Sequence, residues 1–354
     1  MKKTTIFTQL VLLVAVSTSA LAFGEDRFSI QKWSEDFAQS MKSKNAKVTL
    51  QLVDFNQLDK KVLADSNETT NKAKMEQARK LFAKGQFAEA RDLYNQISKN
   101  SSYWLQAVEE RGWTYFRQNQ FDDVLSQTKT LLSPQFADYI DSEAYFLQSL
   151  TQLKTCEYKD LFETDRLFKE KQKARLVEMQ GLAQTGMNDA LKNVMTSTEN
   201  FPMKFSDVGA NANHLPQLFF RDLEFQRQLL RIKLSEKALA ILRSEVSDSK
   251  LQATFEQVKA DSSARLQTRM KQLAQDETND NFKMVQKLNL VEVEAIQRLH
   301  TDVELDKKLF KKADFKDTNS DQLVFVDDGR PWIDELDKYE VRAKACPQNI
   351  RRKM

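Results

Sequence analysis

Glycine and proline are scarce in this chain, with 7 and 5 among 354 residues. Sheets joined by tight turns need residues that tolerate positive φ, and phosphate-cradling loops need several glycines close together. The seven glycines are spread from Gly24 to Gly329, so there is no GxGxxG and no Walker-type loop. Histidine is scarcer still. His214 and His300 leave little for a His-based metal site or catalytic triad. A dominant charge sign is lacking too: 54 basic against 51 acidic residues leave a net charge of +3, which implies a mixed-sign surface and not a nucleic-acid footprint. No catalytic residue, cofactor or metal is therefore expected. What remains is a chain that is 41% hydrophobic and 30% charged, long enough for a sizeable core and expected to be all-α.

The first 22 residues have the three parts of a secretory signal: basic Lys2 and Lys3, an apolar stretch from Ile6 to Val16, and Ala20-Leu21-Ala22. An uncleaved anchor needs roughly 20 apolar residues, and this stretch is shorter. Cleavage after Ala22 is expected, and removing Lys2 and Lys3 takes the net charge from +3 to +1. Phe23 follows the cleavage point, which argues against a lipidated N-terminus. No later segment is apolar enough to span a membrane, so the expected location is periplasmic. Export gives meaning to the two cysteines. Cys156 and Cys346 are a candidate disulfide in an oxidising compartment, with two buried thiols or an intermolecular bond as the alternatives.

Self-comparison is more informative. Lys84-Gly85-Gln86-Phe87-Ala88-Glu89-Ala90 matches Gln118-Asn119-Gln120-Phe121-Asp122-Asp123-Val124 at a shift of 34 residues, from 87 to 121. Ala78 aligns with Gly112, Leu81 with Tyr115, Phe82 with Phe116 and Ile97 with Leu131. Such a period belongs to a helix–turn–helix unit. Small Ala78 and Gly112 let paired helices approach, Gly85 and Asn119 tolerate the left-handed conformation that ends a helix, and Phe87 and Phe121 fill the wedge behind the turn.

These positions resemble the tetratricopeptide repeat (TPR). Ala78, Gly85, Phe87, Glu89, Ala90 and Tyr94 fall on the signature of a first unit, and Gly112, Tyr115 and Phe121 on that of a second. Pro134 lies near the family's terminal proline, whereas Trp104 and Trp113 miss its tryptophan position and Val124 replaces a small residue. A third unit, Ser142 to Phe168, needs about three extra residues to place Tyr158, and Leu161 stands where Ala is usual. The resemblance covers Lys72 to Phe168 and implies a short superhelix that binds peptides or helices in its concave groove. Projecting that face gives Lys72, Met75, Arg79 and Phe82, then Gln106, Glu109, Trp113, Phe116 and Arg117. Met75 and Arg79 replace the family's carboxylate-clamp residues, so recognition of a terminal carboxylate is not implied. The partner-binding candidates are Arg79, Phe82, Glu109, Trp113, Phe116 and Arg117, with internal packing the alternative role of Trp113.

Beyond the repeats, residues 23–71 read as a helical lead-in and 72–196 as the repeats plus one polar helix from Arg166 to Val194, basic at its start. Residues 197–216, holding Pro202, Gly209 and His214, read as the linker loop. From 217 to 314 three apolar stripes suggest long antiparallel helices in a coiled-coil-like hairpin or bundle: Leu218 to Ile241, Leu251 to Leu273, and Val285 to Val303. Asp276 to Asn281 reads as a polar break between the last two.

The remainder, 315–354, reads as a small β-hairpin, Gln322–Val326 and Tyr339–Ala345, followed by a basic tail that could touch an anionic envelope surface. Asp327, Asp328, Asp334 and Glu335 lack the alternating spacing of a calcium loop. The run Asp328-Gly-Arg-Pro-Trp-Ile-Asp-Glu-Leu-Asp-Lys-Tyr339, followed by Cys346, is similar to the ends of exported bacterial TPR proteins grouped with adventurous-gliding-motility components. That resemblance implies an envelope complex and no catalytic residue. The expected function is a non-enzymatic periplasmic scaffold for protein partners. The alternatives are a chaperone-like outer-membrane assembly factor and, with less support, a peptidoglycan-acting enzyme.

Overall fold

The computed structural model describes residues 27–64, 66–136, 139–140, 142–244, 248–301 and 339–342. Within them the chain is all-α: thirteen α-helices and one two-stranded antiparallel sheet. The expected signal peptide, the β-hairpin apart from Tyr339–Arg342, and Cys346 lie outside the described residues.

β1 (Phe28–Ser29) leads into α1 (Ile30–Lys42), α2 (Ala46–Val53) and α3 (Phe55–Val62). Ser29, Asn45 and Asp54 start these helices by accepting from backbone N–H groups of the first turn. Three helical hairpins follow. They are α4 (Ser66–Ala83) with α5 (Phe87–Asn95), α6 (Trp104–Arg117) with α7 (Phe121–Leu131), and α8 (Ser142–Lys154) with α9 (Tyr158–Thr185). Their turns are alike. Gly85, Asn119 and Cys156 lie at φ 78°, 59° and 60°, each two residues before the aromatic that opens the second helix. In each turn the N–H of the next residue returns to the last turn of the first helix: Gln86 to Leu81, Gln120 to Tyr115, Glu157 to Gln152. The aromatic positions are 87, 121 and 158, so the second interval is three residues longer than the first.

α9 ends at left-handed Gly186, and α10 (Asp189–Ser197) is capped by Asn188. The single helix expected from Arg166 to Val194 is therefore two helices: the left-handed backbone of Gly186 ends the first, packed against the Gln267 carbonyl where a side chain would not fit. The expected linker, 197–216, carries β2 (Asn200–Phe201), α11 (Phe205–Val208) and a 3₁₀ turn over Gly209–His214. Phe201, Met203, Val208 and Leu215 are buried there. β2 pairs with β1, and Arg27 makes a 2.6 Å ion pair with Asp207.

α12 (Leu223–Ser244) and α13 (Ser249–Thr301) form a hairpin. The ion pairs Arg243–Glu256, Lys259–Glu236 and Arg269–Asp222 descend α12 as they ascend α13, so the two helices are antiparallel. Leu218, expected in the stripe of α12, precedes that helix at φ 54°.

The polar break expected at Asp276–Asn281 does not form, and α13 runs unbroken for 53 residues. No Gly or Pro interrupts it, and its polar groups find partners. Glu277 pairs with Arg175 of α9 at 2.5 Å, and Asn281 is buried. Lys169–Glu292 and Arg175–Glu277 set α13 antiparallel to α9 as well.

Two main cores result. One packs Trp33, Phe37, Phe201, Phe219, Phe225 and Phe255, drawn from α1, β2, the 197–221 stretch, α12 and the start of α13. The other packs the hairpins, with Ala78, Ala90, Tyr94, Trp104, Ala144 and Phe168, and takes Leu288 from α13. A smaller cluster of Leu153, Tyr158, Leu161, Val291 and Ala295 seals the third hairpin against α13. The second half of α13 thus covers the apolar end of the hairpin array, and α9 and α13 join the two regions.

Candidate functional site: the face of the first helices

The candidate residues lie on α4 and α6, and the hairpin architecture decides what each can do. Arg79 is not an open cation. Its Nη2 and Nε donate to Glu110 on α6 at 2.6 and 3.0 Å, while Tyr94 Oη donates to the same carboxylate at 2.9 Å. Burial and the Glu110 charge push the Tyr94 hydroxyl's pKa upward, so it remains a donor. This triad staples the first hairpin to the second.

Phe82 and Phe116 occupy equivalent places. Phe82 meets Phe87 edge-on at 5.2 Å, and Phe116 meets Phe121 at 5.8 Å, each filling its own hairpin's wedge. Both stay half-buried. Met75, projected onto the groove, is 1% exposed and belongs to the core. Gln106 is covered by Arg221, whose guanidinium lies 3.7 Å from the Tyr103 ring centre and reaches Gln106 Oε1 at 3.4 Å.

The opposite end of α6 is different. Half-buried Trp113 lies 5.7 Å from Phe116 and 6.0 Å from Phe146 of α8, and its Nε1–H is buried without a hydrogen-bond partner. Lys287 of α13 sits 5.3 Å over Phe146, and exposed Arg117 lies 6.0 Å from the Phe87 ring. Glu109 is half-buried beside them in sequence. Arg117, next to Phe116 in sequence, faces the Phe87 ring, and the structure joins Trp113 and Phe116 to Phe146 and Lys287. Sequence reasoning missed the last two. Phe146 was within reach, since the three-residue insertion puts it in register with Glu109. Lys287 was not, because nothing in its local sequence shows that α13 returns to the hairpins.

Behind this face, polar pairs join the two helices of the second hairpin and of the third. Buried Arg111 donates to Gln127 Oε1 at 2.5 and 2.9 Å and to Asn95 Oδ1 at 2.6 Å, and burial lowers its pKa. In the next hairpin Gln148 donates to Thr164 at 3.2 Å and Ser149 to Asp165 at 2.6 Å. Burial pushes the Asp165 carboxyl up to about 6, and its Oδ2 has no hydrogen-bond partner.

α13 shows a second open surface. Phe282, Leu290, Val293 and Ile296 fall on one side of the helix and are 63, 72, 50 and 40% exposed. Among the described residues no group of three His, Cys, Asp or Glu side chains could hold a metal ion, and no helix is long and apolar enough to cross a membrane. Cys156 is half-buried and is not a free thiol. The chain matches no family model, no curated protein and no solved structure.

Proposed function

We propose that the chain is an exported, non-enzymatic TPR-like scaffold that recruits protein partners into a periplasmic envelope assembly. The observation that carries this reading is the thrice-repeated turn, with left-handed Gly85, Asn119 and Cys156 each two residues before Phe87, Phe121 and Tyr158. Units of this kind stack by nearest-neighbour contacts and leave one face of their first helices for a ligand. On that face the recruiting surface is Trp113, Phe116 and Phe146 with Arg117 and Lys287, since buried aromatic anchors and Arg dominate binding energies. The α12–α13 hairpin is the arm that fixes the array to the rest of the molecule. The signal-like first 22 residues support export, and the resemblance of the Asp328–Tyr339 run supports an envelope complex of the gliding-motility type.

The test is affinity purification from crosslinked cells with the full chain and with Trp113→Ala combined with Arg117→Ala. A defined set of envelope proteins is expected with the wild type, at least about tenfold depleted with the variant. Equal recovery from both would overturn the assignment of this surface.

The exposed apolar stripe of α13 favours a second reading, a chaperone-like assembly factor that holds unfolded clients. Suppression of the aggregation of an unrelated unfolded protein, lost on Leu290→Ser with Val293→Ser, would support it over the scaffold.

A further inference from the structure

The segment Tyr339–Arg342 lies far in sequence from α7, α8 and α9, yet it sits against all three. A cleft of about 350 Å³ opens there, lined by Leu125, Leu132, Pro134, Gln152, Glu157 and Asp160 together with Tyr339 and Val341. Tyr339 and Val341 are half-buried while Glu340 and Arg342 are exposed. That alternation belongs to an extended segment with one face down. Lys129 of α7 holds its ammonium 4.8 Å over the Tyr339 ring. The cleft is separate from the recruiting face, because its helical lining comes from α7 and from the α8–α9 turn region.

We propose that this cleft is a docking site for the chain's own C-terminal segment, and that a Cys156–Cys346 disulfide locks the segment there. The occupant is argued from three facts. The side chains of Tyr339 and Val341 already line the cleft. Cys156 directly precedes Glu157, one of its walls, and is not a free thiol in a chain that has two cysteines. Cys346 follows Val341 by five residues, a reach of at most about 17 Å, and Glu157, next to Cys156, lines the same cleft as Val341, which puts the bond within the segment's reach. In closing the bond, the two thiols lose two protons and two electrons to a disulfide-bearing oxidant, which leaves as two thiols. A reductant of the dithiol class reverses the step and frees the strap.

The seat and the lock are tested separately on the full-length oxidised protein. Digestion without reductant, followed by mass spectrometry of the monomer fraction, is expected to yield a peptide linking Cys156 to Cys346. Alkylation of both thiols, or a link confined to dimers, would overturn the intramolecular lock. Hydrogen exchange at 339–342 is expected to rise at least about tenfold on reduction. It should also rise in Tyr339→Ala with Val341→Ala, even where the crosslink persists and melting of the hairpins is unchanged. Unaltered exchange in that variant would overturn the cleft as a docking site.

Discussion

The hairpin array and the bundle beside it are built from the same residue types but held by contacts of different range. In the array the staples link neighbours: Arg79 to Glu110, Arg111 to Asn95 and Gln127, Ser149 to Asp165. In the bundle the ties span about half the chain: Arg27 to Asp207, Arg231 to Asp59, and strand 28–29 to strand 200–201. The array accepts polar pairs at several helical interfaces, whereas the bundle core is rich in phenylalanines meeting edge-on, such as Phe219 and Phe225 at 5.1 Å. Local, repeated contacts make a surface that can be reused. Long-range aromatic packing makes an anchor.

The largest effect is expected in the anchor. Phe225→Ala removes a fully buried ring and should cost about 3–5 kcal/mol, read by denaturant unfolding. An equally large loss from Tyr94→Ala, in the array, would erase the distinction.

Next come two glycines with the same left-handed backbone. An added Cβ at Gly186 would meet the Gln267 carbonyl at 2.5 Å, whereas at Gly85 nothing lies within 4 Å. Gly186→Ala should therefore cost about 3 kcal/mol, from strain and overpacking together, and Gly85→Ala about 1 from strain alone. Equal costs in thermal melts would show that the seam between α9 and α13 is looser than described.

A smaller, pH-dependent effect belongs to the array. Asp165 has its pKa raised from 3.8 to about 6 by burial, opposed by the Ser149 hydrogen bond, with Glu292 raising it further and Lys169 lowering it. A carboxyl whose folded pKa exceeds its unfolded one adds stability while it is protonated in the fold. That contribution is full below about pH 4, declines as pH rises toward about 6, and is absent above. Asp165→Asn should flatten this part of the stability–pH curve and leave the contribution of Asp59, in the bundle, in place.

The two regions also differed in legibility. The 34-residue shift exposed Phe87 and Phe121, and the residue types of Gly85 and Asn119 pointed to the left-handed turns now seen at φ 78° and 59°. Cys156 takes the same conformation with a side chain that gives no such signal. The bundle was opaque for physical reasons. Burial of Phe201, Val208 and Leu215 depends on partners from α1 and α12, so their stretch reads as a loop on Pro and Gly content alone. The polar run 276–281 reads as a break until Arg175 on another helix is there to pair with Glu277. On the candidate face, Arg79 was legible as a cation but not as a staple, because Glu110 becomes its partner only when hairpins stack.

Recruitment of a protein partner by the α6–α8 face is open to a decisive measurement, a photo-crosslinking amino acid placed at position 117 in cells. A matched probe at exposed position 122, on α7, serves as the control. A discrete adduct with one envelope protein is expected from position 117, lost on Trp113→Ala and absent from position 122. The same adducts from both positions, or none from 117, would contradict it.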